Sequence, residues 1–388
     1  MNRLGWALAA VLLGLGLLIA GLYLMGYDPR AALAALWSGA FGSWYAFTSA
    51  TLVRAIPLIL IGLGIAIAFR GGAFNIGAEG QFYAGAIAAT WIGLNLGGQP
   101  SWLTLPLLLL GAGIAGAAWV AVPVWLKLRF GVIEVISTLL LNFVGESLVS
   151  LLVQGPLQEH THIYPQSDVI AETAHLQLLG GSRLHAGIFL ALGLAVVLWY
   201  LFQRTLWGFR LRVVGAGARA AEISGKIDVH RVGALALFCS GAMAGLAGGV
   251  EVSGVSYALF QNLSPGYGFT GIAVALLGGL NPAGVVLSGT LIGALEAGAG
   301  AMQRDAGIPS VAVYVVEAVI IVVALLATSP KGGWMNARVI RRIRPAIRRA
   351  TGWWIALDSR EGFWPPRFEW PLPSSMQPPV RPSPSAPA

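Results

Sequence analysis

Apolar residues fill this chain in blocks of about twenty, separated by short polar or glycine-rich intervals. A helix of that length is what crosses a bilayer core about 30 Å thick, where every backbone polar group must be satisfied within its own segment. The pattern predicts spans at about 6–25, 50–69, 82–98, 102–125, 133–153, 185–203, 233–252, 284–301 and 310–327, with a shorter apolar piece at about 269–280. The first follows a single Arg3 and ends without a small-residue cleavage pattern, so it reads as a retained span and not a removed signal. The stretch 31–47 is too mixed to assign and is placed on the outer face.

Composition agrees with the pattern. Of 388 residues, 56% are hydrophobic and only 10% charged, and the mean hydropathy is +0.75. Soluble proteins carry roughly 25% charged residues, so soluble enzymes, disordered chains and disulfide scaffolds are excluded. The single cysteine, Cys239, lies in an apolar run and has no partner for an internal bridge.

A net charge of +8 invites a nucleic-acid reading, but the placement of the charges gives another. Lysine and arginine stay on the cytoplasmic side of short loops. With the N-terminus inside, 20 of the 24 basic residues fall on the cytoplasmic side, leaving Arg30, Arg54, Arg183 and Arg304 outside or near the outer surface. Closure requires an even number of crossings, so 269–280 counts as a crossing or as part of a re-entrant hairpin broken at Asn281-Pro282-Ala283-Gly284. The expected fold class is all-α: a polytopic bundle of about ten spans with a re-entrant or broken-helix region and both termini cytoplasmic. Residues 1–330 form the membrane domain, with an external loop at 154–184 and an internal loop at 204–232. The juxtamembrane segment 331–352 has six arginines within 338–349 and is assigned to anionic headgroups, not nucleic acid. The tail 353–388 holds nine of the 21 prolines and is expected to be disordered.

Ionisable groups at membrane depth are costly and mark pathways or interhelix contacts. Glu134, Thr138, Asn142 and Glu146 recur every fourth residue, followed by Ser150, which draws one polar seam along the fifth span. Interhelical hydrogen bonding and the lining of a polar solute path both explain such a seam, with structure favoured for Glu134. The segment Gly71-Gly72-Ala73-Phe74-Asn75-Ile76-Gly77-Ala78-Glu79-Gly80-Gln81 suits a tight backbone re-entry and a helix start, and Asn75 and Glu79 would share a face were it helical. Glu251, Glu296 and Glu317 read as packed interface groups. Glu159, His160 and His162 are poorly spaced for a metal, so none is assigned. Gly241-x-x-x-Gly245-x-x-Gly248-Gly249 and Gly289-x-x-x-Gly293 predict close helix approach. No phosphate-binding loop and no recognisable catalytic constellation occur in the chain.

The segments Phe74-Asn75-Ile76-Gly77-Ala78-Glu79-Gly80-Gln81, Thr138-Leu139-Leu140-Leu141-Asn142, Gly155-Pro156-Leu157, Ser182-Arg183-Leu184-His185-Ala186-Gly187 and Trp207-Gly208-Phe209-Arg210-Leu211-Arg212-Val213-Val214-Gly215 occur in this order. Together they resemble permease subunits of the ABC importers that serve branched-chain amino acids, simple sugars and nucleosides, most closely the nucleoside (guanosine-type) branch. The resemblance covers about 5–330 and leaves out the proline-rich tail. It implies a bacterial plasma-membrane (inner-membrane) permease that pairs with a second, related permease as a heterodimer. It also implies two cytoplasmic ABC ATPase subunits, which use the ATP and Mg, and an extracytoplasmic solute-binding protein. This chain is then no enzyme and binds no cofactor of its own. Gly215, Arg219, Ala220, Ala221, Glu222 and Gly225 resemble the coupling segment that docks on the ATPase. Asn75, Glu79, Gln81, Asn142, Glu146, Phe74 and Tyr83 are the expected solute contacts, the neutral amides ahead of the glutamates because a nucleoside carries no charge. A proton-coupled secondary transporter using Glu79 or Glu146, an ABC permease for a simple sugar, and a non-transporting scaffold remain as alternatives.

Overall fold

The computed structural model describes residue 16 and residues 19–223 and 227–308. Among them the fold is all-helical, with two isolated β-bridges, Gln166 with Phe260 and Leu178 with His185. The expected span at 310–327, most of 6–25, Gly225, Glu317, the basic segment and the tail lie outside the described residues.

Six helices are long and apolar enough to cross a membrane by length and composition. They are α2 (Trp44–Arg70), α4 (Ser101–Phe130), α5 (Glu134–Val153), α6 (Gly187–Arg204), α9 (Val229–Ser256) and α11 (Pro282–Ala306). The predicted span at 82–98 falls on α3 (Ala78–Asn95), whose first turn carries Glu79. The apolar piece at 269–280 becomes the eleven-residue α10 (Tyr267–Leu277). The mixed stretch after residue 30 is also helical: α1 (Pro29–Phe41) is capped by Asp28 with Pro29 at its first position, and Gly39 lets it close on Ala297, Gly298 and Ala301 of α11.

The centre of the bundle is α2, buried on every side from Ala55 to Ala68, as an all-apolar helix must be. Against it pack α9, α10 and α11; α9 in turn packs on α3 and α4, where glycines set the separation. A side-chain carbon on Gly248 would lie 2.1 Å from the Phe82 carbonyl oxygen, one on Gly245 2.3 Å from that of Ala112, and one on Gly85 2.1 Å from that of Gly245. These backbones touch, as the glycine spacing of α9 predicts, and Gly85 and Gly116 on the facing helices complete the contact.

Local chemistry fixes the corners. Lys127 in the last turn of α4 pairs at 2.7 Å with Glu134 in the first turn of α5, each charge complementing its helix end. Asn281 caps α11 and Pro282 starts it, so the chain breaks where the sequence predicts. Between α5 and α6, residues 166–186 are knitted to 253–260: Leu176 N–H donates to the Ser253 carbonyl at 2.8 Å, Ile170 N–H to that of Tyr257 at 2.8 Å, and Ser167 N–H to that of Leu259 at 2.7 Å. Helix α6 starts at Gly187, two residues later than the predicted span, which leaves His185 in the preceding hairpin. Its ring is wholly buried against Gly187 and Gly254, and neither nitrogen has a hydrogen-bond partner among the described residues. Burial pushes the His185 imidazole down to about 4.

Candidate functional site: two helix starts inside the bundle

After α2 ends at Arg70, residues 73–77 run without helical structure back into the bundle, and α3 begins there at Ala78. The glycine-rich re-entry is therefore present, but Asn75 lies on irregular backbone and shares no helical face with Glu79. What holds this backbone is a set of buried amides. Asn75 donates to Gln81 Oε1 and Ser240 Oγ, both at 2.8 Å, while its own Oδ1 accepts from Gly77 N–H at 3.0 Å and Gln81 Nε2 at 2.9 Å. From α5, Asn142 donates to the Ile76 carbonyl at 2.8 Å and accepts from Gly80 N–H at 2.9 Å. Asn142 thus caps α3 from another helix, since the residue before α3 is Gly77 and supplies no side-chain cap.

A second helix starts beside the first. Residues 257–266 lead irregularly from the end of α9 to α10, and Gly268 N–H in the first turn of α10 donates to Glu79 Oε2 at 2.6 Å. A side-chain carbon on Gly268 would sit 2.2 Å from Glu79 N, so the two helix starts meet backbone to backbone. Ser264 accepts from Tyr267 N–H at 2.9 Å and also hydrogen-bonds Glu79. Tyr267 packs on Phe82 with ring centroids 5.9 Å apart. The helices diverge from this point: the far end of α3 packs Gly93 on Ile170, whereas beyond α10 the Leu280 carbonyl accepts from Arg70 Nε at 2.8 Å. Each helix start carries about half a positive charge. At this meeting point the Glu79 side chain accepts from Gly268 N–H and so satisfies one of the free amides at the start of α10.

The expected solute contacts divide accordingly. Asn75, Gln81, Asn142, Glu79 and Tyr83 are buried, and the three amides are committed to internal hydrogen bonds. Phe74 is 53% exposed with its ring edge-on to Phe69. Glu146 is also exposed, while remaining within electrostatic reach of Glu79 and Tyr83. The polar seam of α5 holds for three residues. Glu134, Thr138 and Asn142 are buried, after which the buried face drifts to Gly145, Val149 and Val153 and turns Glu146 outward, because 3.6 residues per turn do not repeat every four.

The stretch expected as an internal loop folds as α7 (Leu206–Ala216), capped by the Thr205 hydroxyl, and α8 (Ala218–Ile223). A side-chain carbon on Gly215 would lie 2.2 Å from the Arg70 carbonyl oxygen, and Ala221 is buried, so these two expected docking residues anchor the loop to the bundle. Arg219, Ala220 and Glu222 are exposed beside Ile223, which is 80% exposed. Arg70 joins the parts: its guanidinium lies 4.5 Å over the Phe202 ring while Nε holds Leu280, and Arg212 donates to the Phe202 carbonyl.

A family model described as branched-chain amino acid transport system / permease component matches residues 47–325. The chain belongs to this permease family. Among its relatives, the permease is 40% identical over 321 residues, 81% of its own length and 90% of the relative's, to a Bacillus subtilis (strain 168) protein named guanosine ABC transporter permease protein NupP. It is 34% identical over 339 residues, 84% of its length and 88% of the relative's, to the Haloferax volcanii glucose ABC transporter permease protein TsgB13. A second Bacillus subtilis protein, guanosine ABC transporter permease protein NupQ, is 30% identical over 248 residues, 61% of the permease and 76% of the relative.

Sequence reading of the permease missed Ser264, Tyr267 and Gly268, which complete the meeting point, and the joint made by Arg70 and Phe202. The first group had a signal, since Ser264-Pro265-Gly266-Tyr267-Gly268 precedes an apolar run as Asn75 to Gly80 does. The joint had none: Phe202 lies 132 positions from Arg70 in an unbroken apolar segment, and only the fold brings them together.

Proposed function

We propose that the permease is the membrane subunit of an ATP-binding cassette importer that brings a nucleoside-like solute into the cytoplasm by alternating access. The observation that carries this reading is the 40% identity to a guanosine ABC transporter permease over 81% of the chain. The proposed division of labour is as follows. About ten spans leave both ends in the cytoplasm of a bacterial cell, in the inner membrane, with Arg70, α7 and α8 on the cytoplasmic side. The exposed group Arg219, Ala220, Glu222 and Ile223 then docks in a groove of an ABC ATPase, while Gly215, packed on the Arg70 carbonyl, transmits its movement to the inner end of α2. ATP and Mg are bound by that partner, so hydrolysis takes place outside this chain. A second, related permease completes the channel, a reading supported by the match of both NupP and NupQ from one bacterium. An extracytoplasmic binding protein delivers solute onto the segment 154–186.

Within the channel, Glu146, Phe74 and the Glu79–Tyr83 edge border the path. Asn75, Gln81 and Asn142 shape it by fixing where α3 starts. Alternating access requires two arrangements separated by a few kcal/mol, and the meeting of α3 with α10 is a junction that such a change reshapes without breaking a long helix. The deciding experiment is uptake into proteoliposomes holding the permease, its partner permease and ATPase, with binding protein and ATP. Labelled guanosine is expected to accumulate and to be competed by other nucleosides more strongly than by ribose, glucose or leucine. ATP-independent uptake that collapses with the proton gradient would remove the ABC reading. Stronger competition by glucose would reassign the solute to sugars.

A further inference from the structure

Helix α5 carries a polar edge that the bundle leaves open. Its 20 residues reach about 30 Å at 1.5 Å per residue, the thickness of a bilayer's hydrocarbon core. Glu146 is exposed, and its side chain has no hydrogen-bond or ion-pair partner among the described residues. It stands about 12 Å inside the end of α5 that leads into 154–186. A carboxyl group open at that depth does not face lipid, where it would be costly, but a protein interior or a wet cavity.

The edge continues as a hydrogen-bonded row. Ser150 follows Glu146 by one four-residue step, about 6 Å along the helix and 40° around it. Its hydroxyl oxygen accepts from Gln154 Nε2 at 2.8 Å and from Gln261 Nε2 at 2.6 Å. Gln261 lies on the return between α9 and α10, 111 positions from Ser150, so the row joins two walls of the bundle. Two donors on one hydroxyl oxygen fill its lone pairs and leave its own proton free to donate. The Gln154 and Gln261 Oε1 atoms have no partner among the described residues. The row therefore presents two amide oxygens and the Glu146 carboxyl oxygens as acceptors, with one hydroxyl donor between them.

We propose that Glu146, Ser150, Gln154 and Gln261 form a wet wall of the solute path that takes the hydroxyl and N–H donors of a neutral nucleoside. The solute named here rests on the nucleoside reading above; the wetness of the wall does not. Asn75, Gln81 and Asn142 spend their amides inside the fold, so the free oxygens of this row make the contacts they cannot. Ribose hydroxyls and the ring and amino N–H groups of guanine are donors, and each finds an acceptor along the row. A phosphorylated nucleotide adds oxyanions, which meet no matching donor and the carboxyl group of Glu146. The wall thus favours neutral, donor-rich solutes, because a site built for such groups discriminates against molecules that leave it unpaired.

The test reads water and solute separately. In a Cys239→Ser background, Ser147→Cys and Gln261→Cys are assembled with the partner permease and ATPase in liposomes. The control is Val144→Cys, an exposed apolar position about 160° around α5 from Glu146. A cationic and an anionic methanethiosulfonate are applied, and the mass of this chain reports modification. Both path variants are expected to react, the cation at least fivefold faster than the anion relative to a free thiol, and Glu146→Gln to remove most of that preference. The control is expected to stay unmodified. Unreactive Ser147→Cys and Gln261→Cys would overturn the wall whichever solute is carried, since the edge would then be sealed by a second chain. With guanosine as probe, Gln261→Leu is expected to lower uptake at least fivefold at unchanged subunit co-purification, and Gln261→Glu, which keeps an acceptor, to retain most of it. Wild-type uptake in Gln261→Leu would overturn the solute contact. Reactive thiols in a wild-type complex that carries no guanosine would instead fault the nucleoside reading and leave the wall in place. If Gln261→Leu fails to fold, the reactivity of Ser147→Cys decides alone.

Discussion

His185 offers a quantitative check on the packing between the segment 154–186 and α9. Its imidazole is wholly buried, touches Gly187 and Gly254, and has its proton affinity depressed by burial from an ordinary 6.5 to about 4. The folded protein therefore disfavours the charged ring, and the unfolded chain binds the proton more readily. Stability from the neutral ring is fully present above pH 6.5 and is lost as pH falls from there toward 4. At about 1.4 kcal/mol per pH unit the full loss is about 3 kcal/mol, of which about 2.5 kcal/mol falls between pH 7.5 and 4.5. Other groups titrate in the same window, so the readout is the difference between wild type and His185→Gln or His185→Leu. Melting followed by tryptophan fluorescence in detergent at pH 7.5, 6.0, 5.0 and 4.5 is expected to show the wild type losing several degrees more than either variant over this range. An equal acid loss in wild type and variants would refute the argument and place the ring in contact with water.

Other substitutions probe the helix contacts and the joints. Gly245→Leu or Gly248→Val drives side-chain carbons into backbone oxygens 2.1–2.3 Å away and is expected to cost about 3 kcal/mol or more, whereas Gly233→Ala, with nothing within 4 Å, should raise the melting temperature slightly through helix propensity. Glu79→Gln keeps an acceptor for Gly268 N–H and should fold, while Glu79→Leu leaves that amide unpaired at a cost of about 1–3 kcal/mol, a gap visible in chemical denaturation. Ala220→Trp is the clean test of ATPase docking, since Ala220 is exposed and Gly215 and Ala221 are packing positions; loss of ATPase co-purification at unchanged melting temperature is the expected outcome. Arg70→Ala releases Leu280 and Phe202 together and should lower uptake at least tenfold while the ATPase still binds; Arg70→Lys, which lacks the planar group that covers Phe202, should restore little.

The helices that cross the bundle were legible because each shows its own apolar run, and the glycine rows of α9 forecast its contacts because close approach requires the residue itself to be small. Glu146 was placed on the buried seam from spacing alone, and the drift of a real helix against a four-residue repeat carried it out. The amides at 75, 81 and 142 were expected to contact solute; in the fold all three are buried and bonded to protein groups. Their work could not be read from residue type, because an amide that binds a solute and an amide that caps a helix look alike until the partner backbone is known. The partner of Glu79 lies 189 positions away at Gly268, and no local pattern links them.

The meeting of α3 with α10 also bears on how such a chain arose. Each follows a long helix, α2 or α9, through an irregular return into the bundle, and the two short helices then leave in opposite directions. Stretches 44–95 and 229–277 are thus two copies of one plan, the second inverted. That is the form expected from duplication of an ancestral unit whose copies inserted with opposite polarity. An ancestral half-length chain able to insert both ways would suffice to build such a pair.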